Sequence, residues 1–381
     1  MTRVDVRPEL LRWARERIGD RAAALRQRYP QSERWERGDA KPTLKQLEAF
    51  AKAACVPIGY LFLPEPPVER VPIPDFRTIA TQGVERPSPD LLDTVYLCQQ
   101  RQEWYRNYAI FMGEDRVRFV GSVRVEDDIS ETAATIRDAL GFDIEERRQF
   151  PTWTEALRRF IEQADELGVL VMVSGVVGSN NKRKLDPDEF RGFAITDELA
   201  PLVFINGADT KAAQMFTLAH ELAHIWLGQS AVSDSQASSL PSHRLERWCN
   251  KVAAELLVPL EVLRKDYYRH AELHGESNRL ARRFKVSTLV IFRRMHDAGG
   301  LTTEQFRAAY KAELARLRTI PKGSGGDFYL TLGARVSKRL ARAMVISTLE
   351  GQTSFTETFR MLGFKKMKTF QELGSTLGIE I

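Results

Sequence analysis

Two histidines and a glutamate raise the first chemical question. His220, Glu221 and His224 stand in the run His-Glu-Leu-Ala-His, 220–224. On a helix the two histidines lie one turn apart, so both imidazoles leave one face and can share a metal ion. Glu221 leaves the adjacent face, where it can take a proton from a water attacking beside that ion. The flanks favour a helix. Ala212, Ala213, Met215, Phe216, Leu218 and Ala219 precede the run, Ile225, Trp226 and Leu227 follow it, and neither Gly nor Pro interrupts Lys211 to Leu227. The plainer reading is a pair of hydrogen-bonded histidines on an amphipathic helix. A third ligand at a workable position separates the two.

A hydrolytic zinc site needs three protein ligands and an open position. The metzincin solution requires a glycine and a further histidine downstream, but Leu227 and Ser230 stand there. A gluzincin-like solution fits better. Glu246 lies on the next predicted helix, 22 residues past His224, and Asn250 follows on the same face, where it can orient His220 or Glu246. Glu255 and His243 are rival ligands, and Glu255 is equally suited to a structural ion pair. Such a cluster supports amide hydrolysis. The cation acidifies water and stabilises the oxyanion, and Glu221 accepts the proton and returns it to the leaving amine. The run Pro-Leu-Val-Phe-Ile-Asn, 201–206, lies just upstream. As an edge strand it could take an extended substrate by backbone pairing, an arrangement that a proline at Phe204 would block.

These residues need a scaffold. With 381 residues, 43% hydrophobic and 28% charged, the chain can bury a sizeable core in two or three domains. Cys55, Cys98 and Cys249 are few, odd in number and far apart, which excludes a disulfide framework and a Cys-rich zinc ribbon. The greasiest run, Leu167 to Val177, is broken by Ser174 and Gly175, and Met1 to Leu10 carries Arg3, Asp5, Arg7 and Glu9. No membrane partner and no secretory signal are expected, and the cytoplasm is the expected location. The loop Lys322–Asp327 lacks the Lys-Ser/Thr ending of a phosphate-binding loop.

Five segments are expected. Residues 1–63 read as short helices, with Pro8 opening the first, Asp20 capping the second, and Leu44, Leu47, Phe50 and Ala51 as an inward stripe. Residues 64–74 form a linker, since prolines 64, 66, 67, 72 and 74 cannot continue a helix. Residues 75–165 form a helical connector, with the stripe Leu91, Leu92, Val95 and Tyr96 and a helix capped by Ser130 and stopped by Gly141. Residues 166–300 hold strands at 167–178, 192–196 and 201–206, helices at 211–228 and 242–257, a loop at 229–241, and helices at 278–284 and 287–295. Residues 301–381 form a helical extension with a helix over 330–349. The fold class is therefore mainly α with a small β-sheet, an α+β arrangement.

Two resemblances attach to these segments. Phe-Thr-Leu-Ala-His-Glu-Leu-Ala-His, 216–224, with Glu-Arg-Trp-Cys-Asn-Lys-Val-Ala-Ala-Glu-Leu-Leu-Val-Pro, 246–259, resembles the ImmA/IrrE metallopeptidases. Cys249 replaces the usual Ala and Val252 the usual Phe, and neither change touches a ligand. The resemblance implies a zincin-like core over about 165–300, with zinc held by His220, His224 and Glu246 and with Glu221 as general base. It also implies a protein substrate, commonly a repressor or other regulator whose cleavage relieves repression in stress responses.

Trp35-Glu36-Arg37-Gly38, Lys41-Pro42-Thr43, Leu47 to Ala51 and Tyr60-Leu61-Phe62 resemble an XRE (Cro/C1-type) helix-turn-helix. That resemblance implies transcription regulation through double-stranded DNA, with Gln31, Ser32, Glu33 and Arg34 near base edges and Arg37 near phosphates. Pro30 shortens the turn before the recognition helix, so protein contacts, including homodimer formation, are the alternative use of this module. For the whole chain the rival to proteolysis is a non-proteolytic DNA-binding regulator or antitoxin-like module with a sensory or structural metal.

Overall fold

The computed structural model describes residues 3–76, 86–233, 244–318 and 334–380. The chain is mainly helical with one small mixed sheet, the expected class. It divides into two compact units, Met1–Pro72 with Val84–Tyr96, and Ile73–Gly83 with Leu97–Ile381. The helix Pro89–Met112 contributes residues to both.

In the first unit the short helices Pro8–Glu16, Ala22–Arg28, Ser32–Arg37 and Leu44–Ala53 surround Leu10, Leu11, Trp35, Leu47, Phe50 and Leu61. Helices this short are marginal alone in water, so this shared burial holds them. Pro8 opens the first helix, and Thr43 caps the fourth through a reciprocal capping box with Gln46. Asp20 does not cap as expected. It sits in a 3-10 turn, and the helix Ala22–Arg28 begins without a side-chain cap. Leu44 lies in the first turn of its helix and is exposed, so the inward stripe is Leu47, Phe50 and Ala51. Residues 64–72 lie against this unit: Arg17 forks the Glu69 carboxylate at 2.5 and 2.7 Å, and Arg7 donates to the Pro64 carbonyl at 2.5 Å. In the helix Pro89–Met112, Leu91, Leu92 and Val95 are buried, but Tyr96 faces outward.

The second unit is built on four strands: β1 (Leu170–Ser174), β2 (Gly192–Ile195), β3 (Leu202–Asn206) and β4 (Ala231–Ser233). Their order is β1-β3-β2-β4, with β1 parallel to β3 and β2 antiparallel to β3 and β4. Both faces of the sheet are covered, which is why the strands read as continuous apolar runs. β3 is interior, so the expectation that 201–206 offers an edge to substrate is corrected: β1 and β2 occupy both of its hydrogen-bonding sides. β4 falls in a stretch expected to be loop. Its strand character comes from pairing with β2, which no local pattern announces.

The helix Lys211–Leu227, here the His helix, lies across β2 and β3. Every residue from Gln214 to Leu227 is buried, so the helix must be enclosed. The helix Arg244–Leu257, here the Glu helix, and the helix Trp153–Glu166 complete the enclosure. Thr210 caps the start of the His helix, and Gly228, at φ +68°, ends it. Asp128, not Ser130, caps the helix Ile129–Leu140, because its carboxylate reaches the amides of Ser130 and Glu131. Gly141 stops that helix as expected.

Beyond the Glu helix come Leu273–Phe284 and Thr288–Asp297, joined through Lys285 at φ +51°. The described part of the expected helix over 330–349 is interrupted at Ser337, and Lys338–Leu349 follows it. His243, the loop Lys322–Asp327 and the starts of the helices expected at 242 and 330 lie outside the described residues. Among the described residues no helix is long and apolar enough to cross a membrane.

Candidate metal centre

The His helix places His220 and His224 one turn apart, with their Nε2 atoms 3.1 Å from each other. The Glu helix packs alongside and brings Glu246 from its first turn. Glu246 Oε2 lies 3.2 Å from His220 Nε2, and Oε1 lies 3.1 Å from His224 Nε2. All three residues are buried, and no other potential metal-binding group of three or more His, Cys, Asp or Glu occurs among the described residues. Asn250 Oδ1 lies 3.0 Å from His220 Nδ1. With the amide so oriented, Nδ1 donates and the lone pair on Nε2 points at Glu246.

This arrangement fits a cation. A shared proton can bridge one of the three contacts, whereas a divalent ion satisfies all of them at once. The observed spacings approach the ~3.3 Å that neighbouring ligand atoms adopt around a tetrahedral ion about 2.0–2.1 Å from each. Two imidazole nitrogens and one carboxylate form a donor set suited to zinc. Burial alone would raise the Glu246 carboxyl, but the imidazoles of His220 and His224 outweigh it and hold Glu246 far below the usual carboxylate range.

Glu221 points to the sheet side of the His helix. Burial first, then the Glu246 carboxylate, raises its carboxyl well above the usual range, and the Ser233 hydroxyl partly offsets this. The direction suits a group that accepts and returns a proton near neutrality, and a cation at the three ligands would pull it back down.

Three residues of the site escaped sequence reasoning. Gly192 on β2 leaves the space that Glu221 uses. A Cβ there would stand 2.6 Å from Thr217 Cγ2, 2.8 Å from the Phe204 carbonyl oxygen and 3.1 Å from Glu221 Oε1. Ser233 on β4 places its Oγ 3.3 Å from His224 Nε2. Phe76 stacks on the His224 ring, with centroids 6.5 Å apart and planes 16° from parallel. The glycine opening the apolar run Gly-Phe-Ala-Ile was the one available signal. Ser233 and Phe76 come from stretches with no period.

The rival Glu255 is a structural partner. It pairs with buried Arg294, whose Nε donates 2.8 Å to the Val258 carbonyl. Cys249 is buried in the core, where burial pushes its thiol up, and it is not one of the three groups whose ligand atoms converge. In the first unit, Arg34 and Arg37 are exposed and Gln31 is half-buried at the start of the helix Ser32–Arg37. Ser32 is buried at 1% exposure, so its side chain faces the module's interior and not outward as expected.

Comparison with known families gives two matches. Residues 164–296 match the peptidase M78 family, described as the IrrE N-terminal-like domain. This match spans the sheet, the His helix, the Glu helix and all but the last residue of the helix Thr288–Asp297. Residues 336–376, covering the C-terminal helices, match a family described as a domain of unknown function (DUF8813). No curated protein and no solved structure matches the chain.

Proposed function

We propose that the chain is a zinc-dependent endopeptidase that cuts a protein partner, a repressor or other regulator, inside the cell. The observation that carries this reading is the convergence of His220 Nε2, His224 Nε2 and the Glu246 carboxylate at 3.1–3.2 Å, with Glu221 one residue along the same helix. His220, His224 and Glu246 would hold the ion, and Asn250 fixes the ring of His220. When bound, zinc would supply Lewis acidity toward water and the substrate carbonyl. Glu221 then accepts the proton of the attacking water and delivers it to the leaving nitrogen, and the dry surroundings strengthen its interaction with developing charge. The match of residues 164–296 to a peptidase family supports the reading. It is tested by metal analysis of the purified chain and by terminal-peptide mass spectrometry of cells expressing wild type or Glu221→Gln. The expected result is one adjoining pair of new C- and N-termini present with wild type and absent with the variant, both proteins retaining zinc.

A second reading, a metal site that senses or braces without cleaving, draws on the complete burial of His220, Glu221 and His224 and on the Ser233 hydroxyl beside them. A cellular effect that survives Glu221→Gln decides for it.

The proposal extends to DNA. Residues 1–63 carry 13 Lys/Arg and 8 Asp/Glu, an excess equal to the +5 of the whole chain, so the remainder is charge-balanced. Arg34 and Arg37 present that charge on the exposed side of a short helix. Replacing each by Ala is expected to reduce the slope of log affinity against log salt by about one for each phosphate no longer neutralised.

A further inference from the structure

The edge of the sheet beside the metal centre is already filled by the chain itself. β4 pairs with β2 through Ala231 and Ser233, which leaves the Val232 amide and carbonyl facing outward. Both are taken: Val232 N donates to the Pro74 carbonyl at 2.9 Å, and Phe76 N donates to the Val232 carbonyl at 3.1 Å. Asp75 lies opposite Val232 in parallel register. Ile73 anchors one end at 8% exposure, and at the other end the Phe76 ring lies nearly parallel to the His224 ring, with the centroids 6.5 Å apart.

The other sheet edge, β1, is separated from β4 by two strands, so a chain added there would lie more than about 10 Å farther from the ligands. A peptide added to β4 passes directly beside them. Meanwhile His220, Glu221 and His224 have no accessible surface. A carboxylate that must reach a substrate amide requires something to move.

We infer that the outer side of β4 together with the face of His224 is the seat for an extended polypeptide carrying an aromatic side chain, and that Ile73–Phe76 occupies this seat in the resting chain. The inference deepens the peptidase reading and rests on it for the identity of the displacing ligand. Backbone pairing to Val232 supplies sequence-independent grip, and the parallel, offset placement beside the His224 ring supplies the preference for a ring. A substrate lacking an aromatic residue at that register gains too little to displace the strap.

The test uses the full zinc-loaded chain as wild type, Phe76→Ala and Phe76→Tyr. Two readouts need no catalysis: the rate of zinc transfer to an excess of chromophoric chelator, and the binding of a labelled peptide of sequence Arg-Val-Pro-Ile-Pro-Asp-Phe, residues 70–76 of this chain. Phe76→Ala is expected to lose zinc at least tenfold faster and to capture the peptide, and the same peptide with Ala in place of Phe is not captured. Wild type and Phe76→Tyr release zinc slowly and bind neither peptide. Hydrogen exchange at the Val232 amide should accelerate in Phe76→Ala and slow again when the peptide binds. If Phe76→Ala does not fold, Phe76→Leu, which keeps bulk without a ring, replaces it.

Zinc release and peptide capture within twofold of wild type overturn the inference. Cleavage of unfolded casein, followed in parallel, separates it from its parent. Capture as expected with no zinc-dependent cleavage by any variant overturns the peptidase reading and leaves the seat standing. Cleavage with neither change overturns the seat alone.

Discussion

Gly192→Ala should uncouple metal binding from proton transfer. The added Cβ would stand 2.6 Å from Thr217 Cγ2 and 2.8 Å from the Phe204 carbonyl oxygen. Carbon atoms in contact sit at about 3.5–4.0 Å, so the His helix must retreat from β2 by roughly 0.9 Å or more at Thr217. The Phe204 carbonyl belongs to the neighbouring strand and cannot rotate away. Overpacking of this kind costs about 1–3 kcal/mol of stability.

Glu221 faces the sheet, one turn beyond Thr217, and moves with the helix. A misplacement near 1 Å of a group at the reacting atoms costs on the order of 10²-fold in rate. The three ligands, in contrast, lie between the His helix and the Glu helix, which pack on each other and can shift together. The expected variant therefore holds stoichiometric zinc, unfolds at lower urea, and cleaves about a hundredfold more slowly. Zinc by mass spectrometry, urea unfolding and a cleavage time course give the three values. A variant that loses its zinc while keeping wild-type stability, or one that cleaves at the wild-type rate, refutes the geometry.

Other outcomes follow from the same contacts. Asn250→Ala frees the His220 ring and should weaken zinc about 10–100-fold in a chelator competition, with unchanged affinity counting against the role of its amide. In the zinc-free protein Glu221 is raised above its unfolded value, so the unfolded chain ionises first as pH climbs. Wild type should accordingly lose stability relative to Glu221→Gln as pH rises above the usual carboxylate range, and the gap should stop widening once the folded-state group ionises. Urea unfolding of both chelator-treated proteins across pH reads this, and a gap independent of pH removes the assigned shift. Arg294→Met strands the buried carboxylate of Glu255 and should cost about 3–5 kcal/mol while leaving zinc content intact, which a combined unfolding and metal assay reports.

Three residues of the cluster were legible without any tertiary information. His220, Glu221 and His224 are set by helical spacing alone, because one turn of an unbroken helix fixes which side chains share a face. Asn250 was legible for the same reason once Glu246 was chosen, and the interior strands declared themselves through unbroken apolar runs. Caps were read less well. Asp128 and Ser130 each offer a side-chain oxygen to the free amides of the first turn, and only the backbone's entry angle selects between them. Glu246 was already preferred on the sequence, but the role of its rival Glu255 was a tertiary decision, made by Arg294 arriving from a helix some 40 residues downstream to pair with it. The same holds for β4, for Gly192 beneath Glu221, and for Phe76 against His224. Each contact joins segments far apart in the chain, and local pattern carries no information about which distant backbone will come to lie alongside.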